Sequence, residues 1–203
     1  MGNLAKNTQH QDLEIKKAAI MTLGNICDKL ASSGINIPAT DIESILTGIC
    51  IGMAKDQQNL DIKKIAIKAL HDSLRFIKNV MERQEIRDFV MDLLVNCGMS
   101  TDPDVTLLGF QCLMDAGKIL YDLMNIQYIS VIKDITLSKM NTNEEPDLVV
   151  AAIEFWHIIA EEEKERTEQA ARDVNIGITP TRINHNFIIQ NLNFLLKGLT
   201  DNL

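Results

Sequence analysis

Histidine, cysteine and acidic side chains are the groups in this sequence that could catalyse a reaction or ligate a metal. The four histidines lie in separate segments, at His10, His71, His157 and His185. None belongs to an HExxH motif, and the chain contains no GxGxxG, GxxxxGK or GxSxG motif. No pair of carboxylates can be assigned as general acid and general base. We therefore expect no enzymatic activity, no catalytic residues and no cofactor.

The cysteines do not form a catalytic or metal-binding motif either. They are Cys27, Cys50, Cys97 and Cys112; each lies in an apolar run, and no two form a CxxC pair. This pattern favours buried, reduced thiols over a zinc site or a disulfide framework. Three consecutive acids, residues 161–163, are interpreted as the solvated face of a helix. We expect no metal site.

The composition argues against some classes of binding partner. The 203 residues carry a formal net charge of −8, whereas a general nucleic-acid binder needs a basic face for phosphates. Residues 1–11 are polar and lack the apolar stretch of a signal peptide. No run reaches the roughly 18 apolar residues that a membrane span needs. We expect neither nucleic acid nor a membrane as a partner, and a location in the cytosol or nucleus.

An internal repeat determines how the side chains are positioned. Four segments align without gaps: DLEIKKAAIMTL from Asp12, NLDIKKIAIKAL from Asn59, DPDVTLLGFQCL from Asp102 and EPDLVVAAIEFW from Glu145. Their first residues are 47, 43 and 43 positions apart. In each segment an acid stands third, where it could cap a helix or favour its dipole, and apolar residues recur on one helical face. Each segment predicts one helix, which we call an inner helix.

A second set of segments, the outer helices, alternates with the first. These begin near Glu43, Glu85, Gln127 and Asn186, and the first three starts are 42 residues apart. Paired helices with a period of about 40 to 47 residues are typical of HEAT repeats. We predict an all-α fold, a right-handed solenoid of antiparallel HEAT-repeat helix pairs, with residues 1–203 as a single segment. The predicted helices cover residues 12–30, 41–54, 60–79, 84–98, 103–122, 125–140, 146–172 and 184–200.

The two ends and the last connection depart from the repeat. The chain opens with an inner helix that has no predicted outer partner and closes with an apolar outer helix, whereas a complete solenoid has polar capping repeats. We expect an excerpt of a longer superhelix. From Gln127 to Asn186 is 59 residues, about 17 more than the earlier spacing. This insertion, within residues 164–183, is either a binding loop or a tolerated surface insertion.

Three runs of residues resemble one family. They are IKKAAIMTLGNICDKL (15–30), ILTGICIGM (45–53) and AAIEFWHIIAEEE (151–163), and they resemble the importin-β family of nuclear transport receptors. The resemblance extends from about Asp12 to Leu199, and IEFW (153–156) is among its most specific markers. The order and spacing of the helices resemble that family's repeats from the second helix of the fourth to the first helix of the eighth.

The resemblance implies a non-enzymatic function in nuclear protein import. Receptors of this family bind phenylalanine-glycine (FG) repeats of nucleoporins on the convex face. On the concave face they bind cargo or an importin-α-type adaptor with a basic segment, and Ran-GTP discharges them. Because the chain ends before the position of the family's acidic loop, we expect weak Ran binding or none. The implied location is the cytoplasm and nucleus, including the nuclear pore.

The resemblance also implies a nucleoporin-binding pocket between two neighbouring outer helices. Carried over position by position, this pocket consists of Leu46, Thr47, Cys50, Ile86, Phe89 and Val90. Leu46 and Cys50 are four residues apart and share a helix face, as do Ile86 and Val90. Cys50 replaces a bulkier aliphatic residue of the family pattern, and Ile86 replaces an acid. The alternative for all six residues is ordinary core packing between repeats.

A second pocket is implied between the outer helices that begin near Glu85 and Asn125. Its candidates are Gln127, where the family often has an aromatic residue, and the adjacent Tyr128. A different interpretation of the whole chain is another HEAT-repeat scaffold, of the phosphatase regulatory or vesicle-coat adaptor type. Binding of FG peptides to the convex face would distinguish a transport receptor from such a scaffold.

Overall fold

The computed structural model describes residues 2–35, 37–140 and 145–200 of the chain. All regular secondary structure within these residues is helical. The chain divides into two compact units, Met1–Ile119 and Leu120–Leu203. No helix in the described part of the chain combines the length and apolar character needed to cross a membrane.

The first unit contains six α-helices in two layers. They are α1 (Gly2–Asn7), α2 (Leu13–Ser33), α3 (Ala39–Met53), α4 (Leu60–Ile77), α5 (Gln84–Gly98) and α6 (Pro103–Ile119), with a 3-10 turn at Val80–Glu82. The inner helices contact one another in chain order, α2 with α4 and α4 with α6. The outer helices do the same, α1 with α3 and α3 with α5. The unit therefore has the alternation of inner and outer helices that the repeat predicts.

Helix α1 is an element that the sequence analysis did not predict. It contacts both α2 and α3, and the residue after it, Thr8, is fully buried. The Thr8 hydroxyl donates to the carbonyl of Ala5 at 2.7 Å. The prediction that α2 has no outer partner before it is therefore wrong, because α1 occupies that place in the outer layer.

The three inner helices of the first unit begin at side-chain caps. The side-chain oxygens of Asp12, Asn59 and Asp102 accept from the backbone N–H three residues later, at 3.2, 3.1 and 2.9 Å. In this unit the cap is thus the first residue of each aligned segment, since its carboxylate or amide oxygen reaches the free N–H groups of the first turn. The third acid, Asp61 or Asp104, lies in the first turn of its helix, the place where an acid favours the helix dipole, and also pairs with a lysine of the preceding inner helix.

Small residues let the two layers approach closely. A Cβ on Gly52 of α3 would lie 2.6 Å from the Cβ of Ala66 on α4, and one on Gly109 of α6 would lie 3.0 Å from the backbone nitrogen of Gly98. Ala66 and Gly109 are both the eighth residue of their aligned segments, and both are buried. Backbone contact at these points fixes the separation of inner and outer helices, since packed interiors leave no room for an added methyl group.

The second unit contains α7 (Ile126–Lys139), α8 (Pro146–Asn175), α9 (Phe187–Gln190) and α10 (Leu192–Thr200), with a 3-10 turn at Tyr121–Leu123. The sequence predicts one helix over 184–200. The structure instead begins the helix at Phe187 and interrupts it at Asn191. Asn186, before the start, has a left-handed backbone with φ of 57°, a conformation that asparagine tolerates better than most residues.

A buried polar network attaches the insertion to α8. Glu162, Glu163 and Arg166 are 4, 6 and 3% exposed. Arg166 pairs with Glu162 at 2.7 Å and donates to the carbonyl of Ile183 at 2.9 Å. The prediction of a solvated face at 161–163 is therefore wrong for two of the three acids, because the chain of the insertion returns over them. Only Glu161 is exposed.

Candidate functional site

An open groove lies between the outer helices α3 and α5 of the first unit. Its volume is about 390 Å³. The lining residues are Glu43, Leu46, Thr47, Arg83, Glu85, Ile86 and Phe89. Both helices are held from behind by the inner layer, since α3 contacts α4 and α5 contacts α6. The groove is thus a preformed surface feature between two supported helices.

The structure brings together four of the six residues predicted for the pocket. Leu46 and Thr47 line the groove from α3, and Ile86 and Phe89 line it from α5. Phe89 is 55% exposed although it is aromatic, whereas Leu46 is 4% exposed. An exposed phenylalanine beside the buried Leu46 and the half-buried Ile86 is the arrangement expected of a surface that receives an apolar ligand group.

Cys50 and Val90 lie elsewhere. Their exposures are 2% and 0%, and neither lines the groove. Cys50 is one helical turn beyond Leu46, and Val90 is one turn beyond Ile86. At these positions the side chains of α3 and α5 are buried in the interior. For these two side chains the structure shows core packing, which was the alternative offered by the sequence. Burial also raises the pKa of the Cys50 thiol to about 12.

Charged residues form the rim of the groove, and sequence analysis missed them. Arg83 Nη2 lies 2.6 Å from Glu43 Oε1, so an ion pair joins the start of α5 to α3. Glu85, in the first turn of α5, is exposed and lines the same groove. The one signal in the sequence was the charged run around Arg83 just before an outer helix. That Glu43 on α3 is the partner of Arg83 is seen only in the three-dimensional structure.

The residues of the predicted second pocket lie at the start of α7, in the second unit. Gln127 is exposed and Tyr128 is half-buried. The Asn125 side chain accepts from the backbone N–H of Tyr128 at 2.9 Å and so caps the helix there. A nucleoporin-binding role for Gln127 and Tyr128 stays a prediction.

Two further grooves occur in the first unit. One, of about 540 Å³, lies between α1 and α3 and shares Glu43 and Thr47 with the first groove. The other, of about 200 Å³, lies between the inner helices α4 and α6, near a contact of His71 Nε2 with a carboxylate oxygen of Asp115 at 2.8 Å. The α3–α5 groove differs from both in having an exposed aromatic ring in its lining.

The lining of the α3–α5 groove suits non-covalent binding. Among the described residues, no three histidine, cysteine, aspartate or glutamate side chains are placed to hold a metal ion together. The four cysteines are buried, and burial raises the pKa of Cys97 to about 11. Apolar side chains flanked by a few charges instead suit reversible contact with an aromatic or aliphatic group.

Sequence comparisons relate the chain to one kind of protein. It is 26% identical over 178 residues to importin subunit beta-1 of Schizosaccharomyces pombe, covering 87% of this chain and 20% of that protein. It is 29% identical over 155 residues to importin subunit beta-1 of Saccharomyces cerevisiae, covering 75% and 18%. The chain thus spans about a fifth of the length of these relatives. No protein-family model matches it.

Solved structures agree with the sequence comparisons. The chain superposes on Kap95p from a structure with RanGDP with a TM-score of 0.84 and 25% identity, covering 97% of this chain and 22% of that one. For the Kap95:Nup1 complex the TM-score is 0.83, with 25% identity and coverage of 97% and 22%. Kap95p is the yeast importin-beta.

The helix pairs and these structural neighbours define a HEAT-repeat protein, so the predicted all-α class is confirmed. The particular resemblance is confirmed as well. In sequence and in fold, this chain is similar to a segment of importin subunit beta-1.

Proposed function

We propose that this chain is a non-enzymatic segment of a nuclear transport receptor that binds FG repeats of nucleoporins in the α3–α5 groove. The observation that carries the proposal is the exposed Phe89 ring beside Leu46 and Ile86 in a groove between two outer helices. The similarity to Kap95, which has been solved in complex with Nup1, supports a nucleoporin as the partner.

The expected mechanism is weak and multivalent binding. A ligand phenylalanine entering a shallow groove buries limited apolar area, which contributes about 2–3 kcal/mol. The loss of translational and rotational freedom on association offsets much of this. Dissociation constants of single sites should therefore lie between about micromolar and millimolar. Several repeats on one nucleoporin chain would raise the overall affinity without slow release at any one site.

Other partners follow from the same proposal. Cargo, or an adaptor with a basic segment, would contact the inner helices, where Asp72 and Asp115 are at least partly exposed. The similarity to Kap95p, which binds RanGDP, supports Ran as a further partner. The corresponding location is the cytoplasm and nucleus, including the nuclear pore.

The test is an NMR titration of the 203-residue chain, labelled with ¹⁵N, with a peptide that contains the sequence FSFG. The matched control is the same peptide with each phenylalanine replaced by serine. We expect amide shifts on α3 and α5 around Leu46 and Phe89, and none with the serine peptide. Shifts confined to other helices would mean that the peptide binds outside the α3–α5 groove. No shift at about millimolar peptide would contradict the proposal.

A further inference from the structure

The rim of the α3–α5 groove carries an unequal charge. Its ionisable lining residues are Glu43, Arg83 and Glu85, which gives one positive and two negative groups. The guanidinium of Arg83 is engaged with the Glu43 carboxylate at 2.6 Å. Glu85 forms no ion pair with a lysine, arginine or histidine in the part of the chain that the structure describes. One exposed carboxylate is therefore left to act on a ligand.

Glu85 stands close to the aromatic ring of the groove. Glu85 and Phe89 are four residues apart on α5, and side chains at this spacing lie on one face about 5–6 Å apart. An extended peptide advances about 3.3 Å per residue. A ligand residue one or two positions from a bound phenylalanine can therefore reach the Glu85 carboxylate.

We propose that the groove prefers aromatic peptides in which a lysine or arginine stands one or two residues from the phenylalanine. Glu85 is the residue that forms an ion pair with this lysine or arginine. The inference rests on the proposed function and specifies its ligand. A cation there pairs with Glu85, while the charges of Arg83 and Glu43 offset each other. An acidic residue at the same place meets the Glu85 carboxylate as a like charge.

The expected size of the preference follows from the exposure of Glu85. Ion pairs at exposed sites are weak, so a flanking lysine should tighten binding only about two- to five-fold relative to serine. Salt screens such a pair, so the preference should shrink between about 0.03 M and about 0.3 M ionic strength. Contacts of the phenylalanine ring with Leu46 and Ile86 do not depend on salt in this way.

The test compares three peptides with one FSFG core, flanked by lysine, serine or glutamate, in titrations against the wild-type chain and Glu85→Gln. We expect the affinity order lysine, serine, glutamate for the wild type and equal affinities for Glu85→Gln. Glu82→Gln is the matched control, because Glu82 is exposed on the adjacent 3-10 turn but does not line the groove. It should keep the wild-type order.

The outcomes separate this inference from the proposed function. Equal binding of the three peptides by the wild type at low salt, or an unchanged preference in Glu85→Gln, would overturn the role of Glu85 and leave the groove as an FG site. If no FSFG peptide binds the folded chain, the proposed function itself fails. A preference lost equally in Glu82→Gln would assign the effect to overall charge and would also overturn the inference.

Discussion

Lys64 Nζ on α4 lies 2.6 Å from Asp104 Oδ2 on α6, the next inner helix. One repeat earlier, Lys17 on α2 lies 3.3 Å from Asp61 on α4 in the same way. The lysine is the sixth residue and the acid the third residue of the repeat, so each pair links neighbouring repeats at equivalent positions. The aspartate side chains of both pairs are largely exposed, so each pair contributes little to the free energy of unfolding. We therefore infer that the pairs mainly fix the alignment of neighbouring inner helices.

The Asp102 cap gives the first unit a defined response to acid. The backbone N–H of Val105 donates to its carboxylate at 2.9 Å, and this bond, aided by Lys64, lowers the pKa of Asp102 below its ordinary value of 3.8. A lowered pKa means that the contribution to stability is complete above the ordinary value and is lost as the pH falls through the lowered one.

We therefore predict that Asp102→Asn changes how the urea midpoint depends on pH. Asparagine is also a good cap but does not titrate, so the variant should lack the loss of stability that Asp102 causes below about pH 4. Urea unfolding followed by circular dichroism between about pH 6 and pH 3 measures this. Parallel curves for wild type and variant over that range would contradict the assignment.

Glu163 is predicted to be essential for the stability of the second unit. Its carboxylate accepts from the Tyr121 hydroxyl at 2.9 Å and from the backbone N–H groups of Phe187 and Ile188. Glu163→Ala leaves three donors without this acceptor, and the free energy of unfolding should fall by about 2–4 kcal/mol. Trp156, the single tryptophan, lies on α8 and makes fluorescence a local measure of unfolding.

The matched control for this prediction is Glu161→Ala. Glu161 lies two positions earlier on the same helix and is exposed. Its replacement should change stability by less than about 0.5 kcal/mol. Equal effects of the two substitutions on the Trp156 transition would mean that the buried network does not support this unit.

The contrast between Glu161 and Glu163 also shows what the sequence can and cannot specify. Periodic apolar residues predict the helices and their alternation, because each helix must bury one stripe. Three adjacent acids do not reveal which of them are covered, since the covering residues, Ile183 and Phe187, lie at the end of the insertion and just beyond it. The break at Asn191 and helix α1 were missed for a related reason, as both depend on local packing more than on periodicity.

The groove was only partly predictable as well. Leu46, Thr47, Ile86 and Phe89 were predicted from the resemblance and line one groove, whereas Cys50 and Val90 lie in the interior. A spacing of four residues places side chains on one helix face, but it does not say how deep each one lies.

The thiols are predicted to be unreactive while the chain is folded. The thiolate is the form that attacks thiol reagents, and burial raises the pKa of Cys50 to about 12 and that of Cys97 to about 11. The same cause raises the pKa of Cys27 and of Cys112. At about pH 8, Ellman's reagent should label far less than one thiol within minutes and all four in denaturant. Fast labelling of the native chain would contradict the burial of these residues.

Phe89→Asp is predicted to weaken FG-peptide binding without unfolding the first unit. Phe89 is 55% exposed, so its replacement creates no large cavity. The substitution removes the apolar ring that a ligand phenylalanine would contact and puts a carboxylate in its place. The dissociation constant should rise at least about ten-fold, measured by the same NMR titration with circular dichroism as a check of folding. Met99→Asp is the matched control, because Met99 is 63% exposed just beyond the other end of α5 and does not line the groove. It should bind like the wild type. A folded Phe89→Asp variant that binds the peptide with unchanged affinity would show that the nucleoporin site lies outside the α3–α5 groove.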